Sequence, residues 1–208
     1  MTSILVTGGT GTLGTLVSAR LRRDGHDVRV LSRRAQPYAV DLRDGTGLDA
    51  AVEGVDAIVH CATSPRGGDD RSAARLLTAA RRAGVGHLIY ISIVGVDRVP
   101  LGYYRVKREV EQLIERSGAS GGPGWTVLRT TQFHELVLSL LAGASRLPVL
   151  PLPSGVRVQP VDAGEVADRL AELALGPPVV LVGLGQLLLG DGDVAHRQRT
   201  DVGAVRVA

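Results

Sequence analysis

Gly8, Gly9, Gly11 and Gly14 crowd the stretch that follows the first apolar run of the chain, satisfying both Gly-x-x-Gly-x-x-Gly and Gly-x-Gly-x-x-Gly spacing. A diphosphate is bound by backbone amides at close range, which glycine permits by lacking a side chain, and a helix start adds the positive end of its dipole. Thr10 and Thr12 add hydroxyl donors, and Leu13 begins the apolar face of the helix that follows. Gly8, Thr10, Gly11, Thr12, Leu13 and Gly14 are therefore expected to hold the pyrophosphate of a dinucleotide. A bare strand-to-helix turn is the competing reading, but so many glycines cost stability without a ligand to approach.

Two further groups of residues bear on the same ligand. Binding NAD(H) calls for an acidic side chain at the end of the second strand, to accept from the ribose 2′-hydroxyl. The sequence there is Ser32-Arg33-Arg34. A carboxylate would repel a 2′-phosphate, whereas a guanidinium grips one through paired charge-assisted hydrogen bonds. NADP(H) is thus preferred and NAD(H) second, against the alternative that both arginines are ordinary surface charges. Tyr103 and Lys107 stand four apart at a helix start and so share a face. An adjacent ammonium lowers a phenol's pKa from about 10 and fits it for proton transfer near neutrality. Lys107 is the sole lysine among 24 basic residues, which makes chance a weak account of the pair.

The elements that must position these groups are legible as an alternation. Ser3–Thr7 is a buried strand, and 13–23 a helix with Leu13, Leu16, Val17 and Leu21 at helical spacing. Strands follow at 27–32 and, briefly, 38–40; then come a helix at 47–53, a buried strand at 56–62, a helix at 71–83 and a strand at 87–92. Residues 103–117 read as helix, 125–129 as strand and 132–144 as helix. Beyond 145 the pattern loosens, with a Pro-rich stretch at 147–153 and a strand at 157–160, before Asp162 caps a helix at 163–175. Such alternation predicts an α/β fold, a Rossmann-type doubly wound parallel sheet. One domain spans 1–208, with 145–208 forming a small C-terminal lobe whose end, 179–208, is unassigned.

Composition narrows the function classes. The net charge of +3 is spread over scattered arginines, and aromatics make up only 3% of the chain, so no nucleic-acid surface is expected. The lone Cys61 forms no internal disulfide, and no signal-type or membrane-spanning run is read, giving a cytoplasmic expectation. His60 and Cys61 read as packing residues, and no spacing suits a metal.

Five segments carry a family likeness: Thr7-Gly8-Gly9-Thr10-Gly11-Thr12-Leu13-Gly14, Asp41-Leu42-Arg43-Asp44, Tyr90-Ile91-Ser92-Ile93-Val94-Gly95, Tyr103-Tyr104-Arg105-Val106-Lys107 and Pro160-Val161-Asp162. In this order they resemble the short-chain dehydrogenase/reductase superfamily, in its atypical NmrA-like, sugar-epimerase-like branch, over residues 3 to about 178. The resemblance implies that Asp41 and Leu42 lie near the adenine, that Ala62 and Thr63 line the cofactor, and that Lys107 contacts the nicotinamide ribose. It makes Tyr103 the proton donor and Ser92 the third catalytic residue, although the register sets Ile93 where the family carries serine or threonine. Thr131, Gln132, Phe133 and His134 would border nicotinamide and substrate. The activity implied is an NADP(H)-dependent oxidoreductase passing hydride to a small carbonyl, enone or quinone. An NmrA-like redox sensor with a protein partner and a nucleotide-sugar epimerase or dehydratase are the alternatives. The same likeness implies that the helix at 103–117 can pair with its copy in a homodimer.

Overall fold

The computed structural model describes residues 1–64, 67–134 and 159–184. Its elements run β1 (Ser3–Thr7), α1 (Thr12–Arg23), β2 (Asp27–Leu31), α2 (Leu48–Val52), β3 (Ala57–His60), α3 (Asp69–Ala83), β4 (His87–Ile93), α4 (Gly102–Ala119), β5 (Gly124–Thr130), α5 (Ala163–Leu175) and β6 (Leu181–Leu184). The strands form one sheet in the order β2-β1-β3-β4-β5-β6, and every pair is parallel. Because the chain moves outward from β1 in one direction to β2 and in the other to β3, the strand order reverses at β1. In such sheets a crevice opens at that point beyond the carboxyl ends of the strands.

Alternation along the strands feeds two cores. Leu5, Ile58, Leu88, Tyr90 and Val127 face α2, α3 and α4, meeting Leu76, Leu77, Val110 and Ile114. Ile4, Val6, Val59, Ile89, Ile91 and Leu128 face the other way, meeting Leu13, Val17 and Leu21 of α1 and Val166 and Leu170 of α5. Strands buried on both faces are near-continuous apolar runs, as β1 and β3 are.

Two expectations change. The strand at 38–40 reduces to a single bridge between Ser32 and Ala39, because only a few residues separate Pro37, which has no N–H to give, from the turn that starts at Asp41. Residues 163–184, placed by sequence in the small C-terminal lobe of the one domain, pack on the main sheet: α5 covers α1, Asp162 caps α5 by accepting from Gly164 N and Glu165 N, and β6 extends the sheet beside β5. Most of the helix expected at 132–144 and half of the strand at 157–160 fall outside the described residues, as do 145–158 and the tail from 185. No helix among the described residues is long and apolar enough to cross a membrane.

Candidate functional site

At the carboxyl end of β1 the chain turns through Gly8 at φ 65°, where a Cβ would lie 2.8 Å from the Ala62 backbone at the end of β3. Gly14 presses against the Gly8 carbonyl so closely that any side chain would collide with it. These contacts bring the turn, α1 and the loop after β3 together at the crevice. Thr10, Gly11 and Thr12 remain exposed, no side chain caps the first amides of α1, and its first turn holds no acidic residue. Open amides at a positive helix end suit a diphosphate, and the residues present fit that group.

The second edge of the crevice lies beyond β2. The Ser32 hydroxyl caps its own turn, accepting from Arg34 N and Ala35 N. Arg33 and Arg34 are exposed, and neither guanidinium has an ion pair among the described residues. Asp41 is committed elsewhere: Arg43 reaches both its oxygens, at 2.5 to 3.1 Å, and these hydrogen bonds hold the carboxyl at about 2. Leu42, its expected companion, is 7% exposed and packed in the α2–α4 core.

Tyr103 and Lys107 rise from the first two turns of α4 toward the same edge. The phenol is 39% exposed, and its hydroxyl lies 2.9 Å from Thr63 Oγ1. Thr63 Oγ1 in turn donates to Asp69 Oδ2 at 2.6 Å. Lys107 is buried, donates to the Ile91 carbonyl at 3.3 Å, and sits 4.9 Å from the Tyr90 ring centre and 5.8 Å from that of Tyr103. Burial brings the ammonium down to about 8. The phenol's shift runs opposite to the lowering expected from Lys107: burial pushes Tyr103 up and the Asp69 carboxylate adds to the rise, with the Thr63 contact acting the other way.

Ser92 does not join Tyr103. Its hydroxyl is buried on the α4 side of β4, with no hydrogen-bond partner among the described residues. Glu111 itself is 1% exposed and gripped by Arg129 at 2.6 and 2.9 Å and by Arg108 at 2.8 Å, a cluster that the sequence did not disclose. His60 stacks on Tyr90 and bonds Thr7 Oγ1 at 2.6 Å; burial takes it down to about 3 and Cys61 up to about 12, so both are neutral packing groups.

The residues after β5 divide. Gln132 donates to Tyr104 Oη at 2.6 Å, and Phe133 packs against the α1–α5 core. Thr131 and His134 line a depression of about 220 Å³ with Val161, Asp162 and Glu165. A larger cleft, about 480 Å³, opens beside the phenol between Ser64, Gly67, Arg105 and Glu109. Among the described residues no cluster of His, Cys, Asp or Glu could hold a metal ion.

Comparison with known proteins agrees with this geometry. A family model described as NAD(P)H-binding matches residues 8–136. The chain is 35% identical over 152 residues to (4-alkanoyl-5-oxo-2,5-dihydrofuran-3-yl)methyl phosphate reductase of Streptomyces griseus, covering 67% of this chain and 51% of that protein. It is 33% identical to an NAD(P)H azoreductase of Xenophilus azovorans, covering 84% of this chain and 64% of the relative. The chain thus spans about half the length of the first and under two thirds of the second. Among solved structures, the NADPH-dependent quinone oxidoreductase of Escherichia coli, complexed with NADPH, superposes with a TM-score of 0.69 at 25% identity, over 82% of this chain and 64% of that one. The UDP-glucose 4-epimerase of Thermus thermophilus, with NAD, gives 0.72 at 23% identity over 88% and 77%, a likeness of fold.

Proposed function

The chain belongs to the NAD(P)H-binding family, and on that footing we propose that it is an NADP(H)-dependent reductase of a small carbonyl, enone or quinone. The observation that carries the reading is the half-exposed Tyr103 phenol, set at the mouth of a cleft on the carboxyl edge of the sheet with the Lys107 ammonium behind its ring. A reductase from Streptomyces griseus and an azoreductase from Xenophilus azovorans are its relatives, which favours reduction over the sugar chemistry of the epimerase neighbours.

Gly8, Thr10, Gly11, Thr12, Leu13 and Gly14 would hold the diphosphate, Ser32, Arg33 and Arg34 the adenosine phosphate, and Asp41, Leu42, Ala62 and Thr63 the adenine side and the cleft wall. The dihydronicotinamide supplies a hydride when bound. The protein's part is position and proton delivery. Lys107 binds ribose hydroxyls and places positive charge behind the phenol. Tyr103 donates its hydroxyl proton to the oxygen of the substrate as negative charge develops there. Ser92 would be the third catalytic residue, and the 480 Å³ cleft beside the phenol is of a size for a small substrate. Thr131, Gln132, Phe133 and His134 form the far border. A cytoplasmic setting and a homodimer paired through α4 belong to the same reading.

Tyr103→Phe tests it. With NADPH and a panel of carbonyls, enones and quinones, the variant should bind coenzyme as the wild type does and lose turnover by at least about a hundredfold, the usual contribution of a general acid. Undiminished turnover would remove Tyr103 from the reaction, and wild-type protein that binds NADPH without turning over any of the panel would favour the redox-sensor alternative.

A further inference from the structure

Thr63 stands between two other oxygen-bearing side chains, with Tyr103 Oη 2.9 Å away on one side and Asp69 Oδ2 2.6 Å away on the other. A hydroxyl has one hydrogen, and a carboxylate only accepts. Thr63 therefore gives its hydrogen to Asp69, and its oxygen is left to accept from the phenol. The second Asp69 oxygen accepts from Ser64 N at 2.8 Å, which fixes the carboxylate at the start of α3, where it is 6% exposed.

We propose that Asp69, acting through the Thr63 hydroxyl, is a positioning residue that orders these hydrogen bonds from phenol to carboxylate and holds Tyr103 in its protonated form. This rests on the reductase reading above. The phenol is faced by Thr63 and Asp69 across the loop after β3, by Tyr104 on its own helix, and by Lys107 and Tyr90 behind the ring. Burial opposes phenolate and the Asp69 charge adds to that; the Thr63 contact would favour phenolate only as a donor, and its hydrogen is committed to Asp69. In the reductive step the Tyr103 O–H bond breaks and an O–H bond forms on the product, while the electron pair that reduces substrate carbon comes from the reduced dinucleotide. Tyr103 regains its proton from water at its exposed edge.

Replacement of Asp69 by asparagine keeps the shape but reverses the order, since the amide donates to Thr63 and Thr63 can then donate to the phenol oxygen. The ionisation of Tyr103 can be followed without turnover, from phenolate absorbance in each background minus that background carrying Tyr103→Phe. Asp69→Asn should lower it by about one pH unit, a tenfold loss of proton affinity. The alkaline fall of reductive kcat should move with it. In a Thr63→Val background the effect of Asp69→Asn should shrink to less than half, whereas in a Thr63→Ser background it should persist in full. If Asp69→Asn proves unstable, the Thr63→Val and Thr63→Ser pair carries the contrast alone, with the alkaline limb moving to lower pH for valine only. An ionisation unmoved by Asp69→Asn, or moved equally without the Thr63 hydroxyl, overturns the inference. A purely structural Asp69 would alter the melting temperature and leave the phenol's ionisation where it was. Loss of turnover in Tyr103→Phe with an unmoved ionisation would leave the reductase reading intact. Undiminished turnover in Tyr103→Phe would remove that reading whatever the ionisation does.

Discussion

Lys107 shows what one buried charge costs a fold. It is 3% exposed, and burial lowers its pKa from 10.5 to about 8 although Asp69, Cys61 and Glu111 pull the other way. A lysine whose folded pKa lies below its unfolded one costs stability at every pH below about 8, and the cost fades as pH rises from about 8 to about 10.5. Full removal of that cost is worth roughly 3 kcal/mol, an upper figure because the Ile91 and ring contacts are lost with it. Lys107→Met should therefore melt at a higher temperature than the wild type at pH 7, with the gap narrowing above pH about 9, while binding NADPH more weakly. Equal melting curves at both pH values would show that the ammonium is comfortably solvated. The Tyr103–Lys107 pair was legible because helical spacing alone brings such residues together. The direction of the phenol's shift was not, because it depends on burial and on Asp69, which the start of α3 brings to Thr63.

At the scale of elements, the helix that carries this pair must be held at a fixed angle to the sheet, and Glu111 does so. Its carboxylate ties α4 to Arg129 on β5, and Arg129 reaches on to Asp97 in the loop that leads from β4 into α4. Burial pushes Glu111 up, but hydrogen bonds from Arg129 and Arg108 more than offset it and keep the carboxyl below its ordinary 4.5. A folded pKa below the unfolded one means stability present above pH about 4.5 and lost as pH falls through the folded value. Glu111→Gln removes the negative partner of a buried pair and should cost about 3 kcal/mol in urea unfolding at pH 7, with the difference disappearing in acid. A change under about 0.5 kcal/mol would show that the cluster adds nothing beyond what apolar packing supplies. Periodicity located α4 within a residue or two at each end, yet it could not locate this cluster. The partners lie 18 residues apart in sequence and meet only because β5 returns parallel to β4.

Across the whole molecule, the coenzyme crevice exists only because three distant segments end at one edge: the turn after β1, the arginines after β2 and the loop after β3. The order of strand and helix announced that edge, since parallel strands linked by helices leave their carboxyl ends together. The sixth strand was hidden by its brevity, four residues that include Gly183, so a segment that completes the sheet read as a lobe. The same geometry sets a test of coenzyme choice. Arg33 and Arg34 stand exposed after β2 with no ion pair among the described residues, and on the proposed reading they grip the ribose 2′-phosphate. A charge-assisted hydrogen bond is worth about 1.5 to 3 kcal/mol, or at least about tenfold in affinity. Wild-type protein should bind NADPH more tightly than NADH by at least that factor. Replacing both arginines by serine should raise the NADPH dissociation constant by the same factor, steepen nothing for NADH, and abolish the salt dependence that a phosphate contact imposes. If calorimetric titration instead gives tighter NADH binding in the wild type, the two guanidiniums are ordinary surface charge and the ribose must be recognised from the Asp41 side of the crevice.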